Sequence, residues 1–169
     1  AARSLAARFI ERGVQTIVFA RSRLRVEILT KYLKRAVARL GRNPAQVAGY
    51  RGGYLPNERR AIERGIKQGE IMGVVSTNAL ELGIDIGSLT ACVLCGYPGT
   101  IASTWQQAGR AGRRKDTALT VLVASSAAID QYIVNHPEYF LTQSPEHALL
   151  APNNLYVLLS HMKCAAYEL

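Results

Sequence analysis

The chain has 169 residues, which suits one domain of ordinary size, and 49% of them are hydrophobic, enough for a full buried core. No uninterrupted apolar run approaches the roughly 18 residues of a membrane span, and residues 1–16 lack the apolar stretch of a signal peptide, so a cytoplasmic protein is expected, nucleoid-associated if bacterial, with no membrane partner. The net charge of +9 is uneven: residues 1–64 carry fifteen Lys/Arg against four Asp/Glu, and the remainder has a net of −2. That asymmetry fits either an electropositive face for a polyanion or a set of solvated helix faces.

The opening segment begins inside a helical pattern and reads as a cut end rather than a natural start. Residues 16–20 (TIVFA) form the first expected strand. Residues 22–41 follow as a long amphipathic helix, with Ser22 as its N-cap and Gly41 as its stop. Residues 46–50 read as a strand and 56–69 as a helix with Pro56 in its first turn. Three more strands are expected at 72–76, 90–96 and 119–125. Because these runs are continuously apolar, they predict parallel strands covered on both faces, hence an α/β fold with an open parallel sheet flanked by helices. Ligands of such sheets lie beyond the carboxyl ends of the strands. The polar and glycine-rich segments of this chain fall there.

From residue 126 the pattern changes to short helices broken by Pro137, Pro145 and Pro152. A final apolar helix has no stop signal and reads as the start of a further element. The expected organisation is therefore a domain over 1–125 and a helical C-terminal extension over 126–169.

Three cysteines, Cys92, Cys95 and Cys164, form an odd count that suits a reducing compartment. Cys92 and Cys95 have metal-like C-x-x-C spacing. Residues three apart on a strand face opposite sides, however, so they are read as core thiols and no metal site is expected. His136, His147 and His161 share no short spacing. Trp105 is read as packing beneath a helix, with base stacking as the alternative.

The densest chemical signal is QQAGRAGRR at 106–114. A continuing helix there would put Arg110 and Arg113 on one face, three residues apart. Gly109 and Gly112 would let another surface come close. Two guanidinium groups so placed can stabilise a phosphoryl group in transfer. The bland reading is a basic helix in solvent.

This segment resembles motif VI of superfamily 2 nucleic-acid helicases. Those motors pair two RecA-like domains around ATP, and the second domain supplies arginine fingers. The resemblance implies a RecA-like fold, with Arg110 and Arg113 reaching the ATP phosphates and Gln106 at the cleft edge. IVFARSR (17–23) resembles motif IV, and YRGGYLPNERR (50–60) the glycine-pair motif that follows it. VVSTNALELGIDIG (74–87) resembles motif V, which implies that Thr77 faces a nucleic-acid phosphate and Asp85 the ATP ribose, with Gly83 allowing close approach.

The loop residues agree with this on their own chemistry. Gly52 and Gly53 free backbone N–H groups for a phosphate, and the helix behind them points its N-terminus the same way. Thr77 and Asn78 open a short helix and can donate to a phosphate oxygen. Arg21 and Arg51 add charge, and Ser22 stands beside them. Contacts of this kind grip the backbone of a single strand without regard to sequence.

No phosphate-loop or acidic metal-binding motif is present in these residues, so ATP with Mg²⁺ would be held mainly by an N-terminal RecA-like partner domain of the same protein, and this segment alone is expected to be inactive. Gln106-Gln107 and Glu81 stand where RNA-specific DEAD-box proteins usually have His-Arg and Arg. The tail HPEYFL…SPEHALLAPNNLYVLLSHMKCAAYEL resembles DNA-repair helicases of the mitomycin-repair type. Single-stranded DNA is therefore the expected polymer. An RNA-remodelling helicase and a non-enzymatic nucleic-acid-binding module remain the alternatives.

Overall fold

The computed structural model describes residues 1–82, 84, 86–87, 89–112, 117–144 and 154–168. In chain order these form α1 (Ala2–Glu11), β1 (Thr16–Phe19), α2 (Arg23–Arg39), β2 (Val47–Tyr50), α3 (Pro56–Lys67), β3 (Gly73–Ser76), β4 (Ala91–Cys95), α4 (Ile101–Ala108) and β5 (Leu119–Val123). The C-terminal part adds α5 (Ala128–Asn135), α6 (Pro137–Thr142) and α7 (Leu155–Glu168). Each strand is mostly apolar and four or five residues long; β1 and β3 are buried throughout, whereas the edge strand β5 is exposed to half-buried.

The five strands form one sheet in the order β2-β3-β1-β4-β5, and every pair is parallel. β1 lies at the centre, with Val18 paired to Val75 on one side and Val93 on the other. Successive residues of β1 feed two separate cores. Val18 joins Ala6, Ile10, Val26, Leu33 and Val37 from α1 and α2. Ile17 and Phe19 join Tyr50, Ile66, Leu80 and Cys92 on the opposite face. α1 presses close to the sheet because β3 begins with glycine: a Cβ at Gly73 would stand 2.5 Å from Ile10 Cδ1.

The elements match those expected from sequence within a residue or two at their ends, with one consequential exception. The motif VI segment is not a continuing helix. α4 stops at Ala108, and Gly109 caps it. The Arg110 and Ala111 amides then bond three residues back, to Gln107 and Ala108. Ala111 is drawn into a parallel bridge with Leu89, Gly112 donates to the Leu89 carbonyl, and Gly112 adopts a left-handed φ of 88°. The helix has thus ended at Ala108, and the left-handed Gly112 prevents it from resuming. Arg113, the expected i+3 partner of Arg110, lies outside the described residues. Arg110 sits on a turn beyond the helix.

No helix among the described residues is long and apolar enough to cross a membrane. None of the described residues of α7 is buried.

Candidate functional site

Parallel strands put all their following loops on one edge of the sheet. Two polar clefts open there. One, of about 400 Å³, is lined by Arg21, Asn78, Glu81, Ser103 and Gln107 among others. The second, of about 290 Å³, is lined by Arg21, Ser22, Arg23, Gly52, Thr77 and Asn78. They share Arg21 and Asn78, so they form one track across the carboxyl ends of the strands. The structure thereby brings together Arg21, Ser22, Gly52, Thr77 and Asn78.

Ser22 and Thr77 are fixed by local structure. Ser22 caps α2, its hydroxyl accepting from the Arg25 amide at 3.2 Å. Thr77 caps the 3₁₀ turn Asn78–Leu80, accepting from the Ala79 amide at 3.3 Å. Both hydroxyls accept in these bonds, so each keeps its proton to donate to an anion. Gly53 has a left-handed φ of 98°, which the sharp turn after β2 requires.

Arg51 and the N-terminus of α3 differ from expectation. Arg51 donates to Glu27 at 2.7 Å and stacks over the Tyr54 ring at 4.7 Å, so its charge is offset inside the protein. The hydrogen bond from Arg51 holds the Glu27 carboxyl below the usual range, against its partial desolvation. At the start of α3, Pro56 has no N–H to offer, and the Glu58 carboxylate accepts from the Leu55 amide at 3.0 Å. The helix end is therefore already served by an acidic side chain, which opposes an anion there.

Arg21 is tied more firmly than sequence suggested. Its Nε donates to the Tyr97 carbonyl at 2.9 Å, and its Nη2 reaches both that carbonyl and Asp130 Oδ1, the latter at 3.3 Å. Asp130 is fully buried in α5 and also accepts from the Tyr97 amide, the Ser125 amide and the Ser125 hydroxyl. Burial pushes its carboxyl up, but the Ser125 and Tyr97 hydrogen bonds and the Arg21 charge outweigh that and hold it below the ordinary value.

Beyond α4, Arg110 donates through Nη1 to the Ile84 carbonyl at 3.2 Å. Its Nε is buried without a partner among the described residues. Gln106 is exposed on α4. Gly83, Asp85 and Arg113 lie outside the described residues.

Several residues at the site were not singled out from sequence as members of it. Glu81 is buried, and its Oε2 accepts from Gln107 at 2.8 Å and from Ser103 at 2.8 Å. This network ties the loop after β3 to α4. In the sequence its two main members stand out only as separate departures from the DEAD-box pattern, and their joint occurrence is the available signal. Arg23 lines the second cleft and belongs to the same ARSR run as Arg21. Asp130 carried no local signal, because its partners are brought to it by the sheet.

Cys92 packs in one core and Cys95 against the other, as expected of a strand, so they cannot share a metal. Burial raises their thiol pKa values to about 12 and about 11. His136 pairs with Glu138, and His161 lies on exposed α7. His147 is outside the described residues. Trp105 stacks on Phe140 at 5.0 Å, packing α4 against α6.

The family described as "Helicase conserved C-terminal domain" matches residues 2–115. An uncharacterized ATP-dependent helicase of Bacillus subtilis, YprA, is 60% identical over 166 residues, which cover 98% of this chain and 22% of that protein. The crystal structure of the DUF1998 helicase MrfA bound to DNA and AMPPNP superposes with a TM-score of 0.91 at 59% identity, over 99% of this chain and 23% of that one. The helicase Lhr of Mycobacterium smegmatis, bound to single-stranded DNA and AMP-PNP, gives a TM-score of 0.78 at 28% identity, over 95% of this chain and 21% of that one. This chain thus spans less than a quarter of the length of these relatives. The fold is RecA-like, and the chain belongs to the helicase conserved C-terminal domain family of superfamily 2 helicases.

Proposed function

We propose that this chain is the second motor half of an ATP-dependent helicase that moves on single-stranded DNA. The observation that carries the reading is the polar track at the carboxyl edge of the sheet, which runs from Gly52 and Ser22 through Arg21, Thr77 and Asn78 to Glu81 and Gln107.

In this reading Arg21, Ser22, Thr77, Asn78 and the Gly52-Gly53 turn hold successive phosphates of the strand, with Arg51 an ion-paired flank. Arg110 and Arg113 act as fingers on the phosphates of ATP, and Asp85, Gly83 and Gln106 face the nucleotide. ATP and Mg²⁺ sit mainly on an N-terminal RecA-like domain of the same protein. Closure of the two halves on ATP and their opening after hydrolysis move the strand. DNA-bound MrfA and Lhr are relatives that support the choice of polymer. So do Glu81 and Gln107, which stand where RNA-specific relatives usually carry basic residues.

ATP hydrolysis by the full-length protein, measured with single-stranded DNA, single-stranded RNA or neither, tests this. Stimulation by DNA is the expected result. Stimulation mainly by RNA would overturn the polymer and keep the motor. Absence of hydrolysis with every polymer would leave a binding module.

A further inference from the structure

We propose that Asp130, in the first helix of the C-terminal extension, is a positioning residue that holds Arg21 against the nucleic-acid track, so that the extension completes the grip of the motor. This deepens the function proposed above and rests on Arg21 being a phosphate ligand.

The argument starts from what converges on one carboxylate. Arg21 follows β1, Tyr97 follows β4 and Ser125 follows β5. All three donate to Asp130, which itself belongs to α5. Asp130 lies beyond residues 2–115, the part matched by the helicase family, yet it joins three loops of the sheet edge. The backbone is shaped to allow it. Gly96 has a left-handed φ of 86°, and a Cβ there would lie 2.9 Å from Asp130 Oδ2 and 3.5 Å from Arg21 Nε.

The bond to Arg21 is not needed to satisfy Asp130, which already has three donors from Tyr97 and Ser125. Its effect falls on Arg21. A free arginine samples many rotamers and loses that freedom when it takes a ligand. Here the Tyr97 carbonyl fixes the Nε edge, and Asp130 fixes Nη2. Nη1 has no protein partner among the described residues, and the Arg21 side chain is 39% exposed, whereas that of Asp130 is 0% exposed. One edge of the guanidinium is thus anchored, and the residue stands where the two clefts meet. Such an arginine is pre-ordered for a phosphate oxygen.

The test is the affinity of the full-length protein for single-stranded DNA across a range of salt, for the wild type, Arg21→Gln, Asp130→Asn, the double variant and Ser125→Ala. Losing one phosphate contact lowers the slope of log affinity against log salt by about 1. Arg21→Gln should show that loss. Asp130→Asn should approach it, and the double variant should lose no more than Arg21→Gln alone. Ser125→Ala removes a bond to Asp130 without touching Arg21. It should lower the melting temperature and keep the wild-type slope, which separates positioning from general loosening. If Asp130→Asn does not fold, Asp130→Glu keeps the charge but displaces it against Gly96, and carries the same expectation.

A wild-type slope for Asp130→Asn beside a reduced slope for Arg21→Gln would overturn the positioning role alone. So would losses that add in the double variant. A wild-type slope for Arg21→Gln would overturn the phosphate-ligand reading beneath it.

Discussion

At Asp130, burial and hydrogen bonding pull acidity in opposite directions, and the donors from Ser125 and Tyr97 together with Arg21 win. The folded-state pKa lies below the ordinary 3.8, so the folded protein takes up this proton less readily than the unfolded chain. The stabilisation is fully present above that ordinary value and is lost as pH falls through the lowered one. We predict that chemical denaturation of the wild type in acid shows this loss and that Asp130→Asn, weaker at neutral pH, shows less of it. An equal acid dependence in both would place the titration elsewhere. The thiols give a second expectation at this scale. Cys92 is buried and Cys95 half-buried, with pKa values near 12 and 11, whereas Cys164 is exposed. A thiolate reagent under native conditions at neutral pH should label Cys164 first and reach the other two only on unfolding, since the thiolate is the reactive form. Early labelling of Cys92 would contradict its placement.

Between elements, the Glu81 network is the tie that matters most for a motor. It joins the loop after β3, which carries Thr77 and Asn78, to α4, which leads to Arg110. The Arg110 bond to Ile84 makes a second tie between the same two segments. Glu81→Ala and Gln107→Ala should each destabilise the fold by roughly 1–3 kcal/mol, the cost of stranding a buried polar partner. Because they remove the same bond, the double variant should lose less than the sum, with a coupling of about 1 kcal/mol in a denaturant cycle. Additive losses would mean the contact contributes nothing.

The elements themselves were readable because each strand is a short, mostly apolar run and Ser22, Gly41 and Pro56 mark helix ends. The turn at 109–112 was misread. Its glycines permit either an approachable helix or a helix stop, and the bridge from Ala111 to Leu89 decides between them over a long sequence separation. The Arg51–Glu27 and Arg21–Asp130 pairs were hidden for the same reason. A cation near a glycine pair looks available until the fold supplies its acid.

Over the whole molecule, the excess of positive charge in residues 1–64 gains a location only in part. Arg21, Arg23 and Arg51 lie at the sheet edge, but Arg51 is paired with Glu27 and Arg21 with Asp130, so net charge overstated what reaches the track. The order of motifs along the chain was more informative than the charge, because a parallel sheet delivers every strand's following loop to one edge. Less accessible from sequence was the part played by residues after 125. Arg21 and the loops after β4 and β5 close on the carboxylate of Asp130, which follows residue 125. The central claim is that this half of the motor completes an ATP site by supplying a finger. Steady-state ATP hydrolysis by the full-length protein with saturating single-stranded DNA, compared between the wild type and Arg110→Ala, tests it most directly. Loss of about 10³-fold or more in turnover with retained DNA affinity is predicted, the usual worth of an arginine finger. Turnover at the wild-type rate in Arg110→Ala would contradict the account.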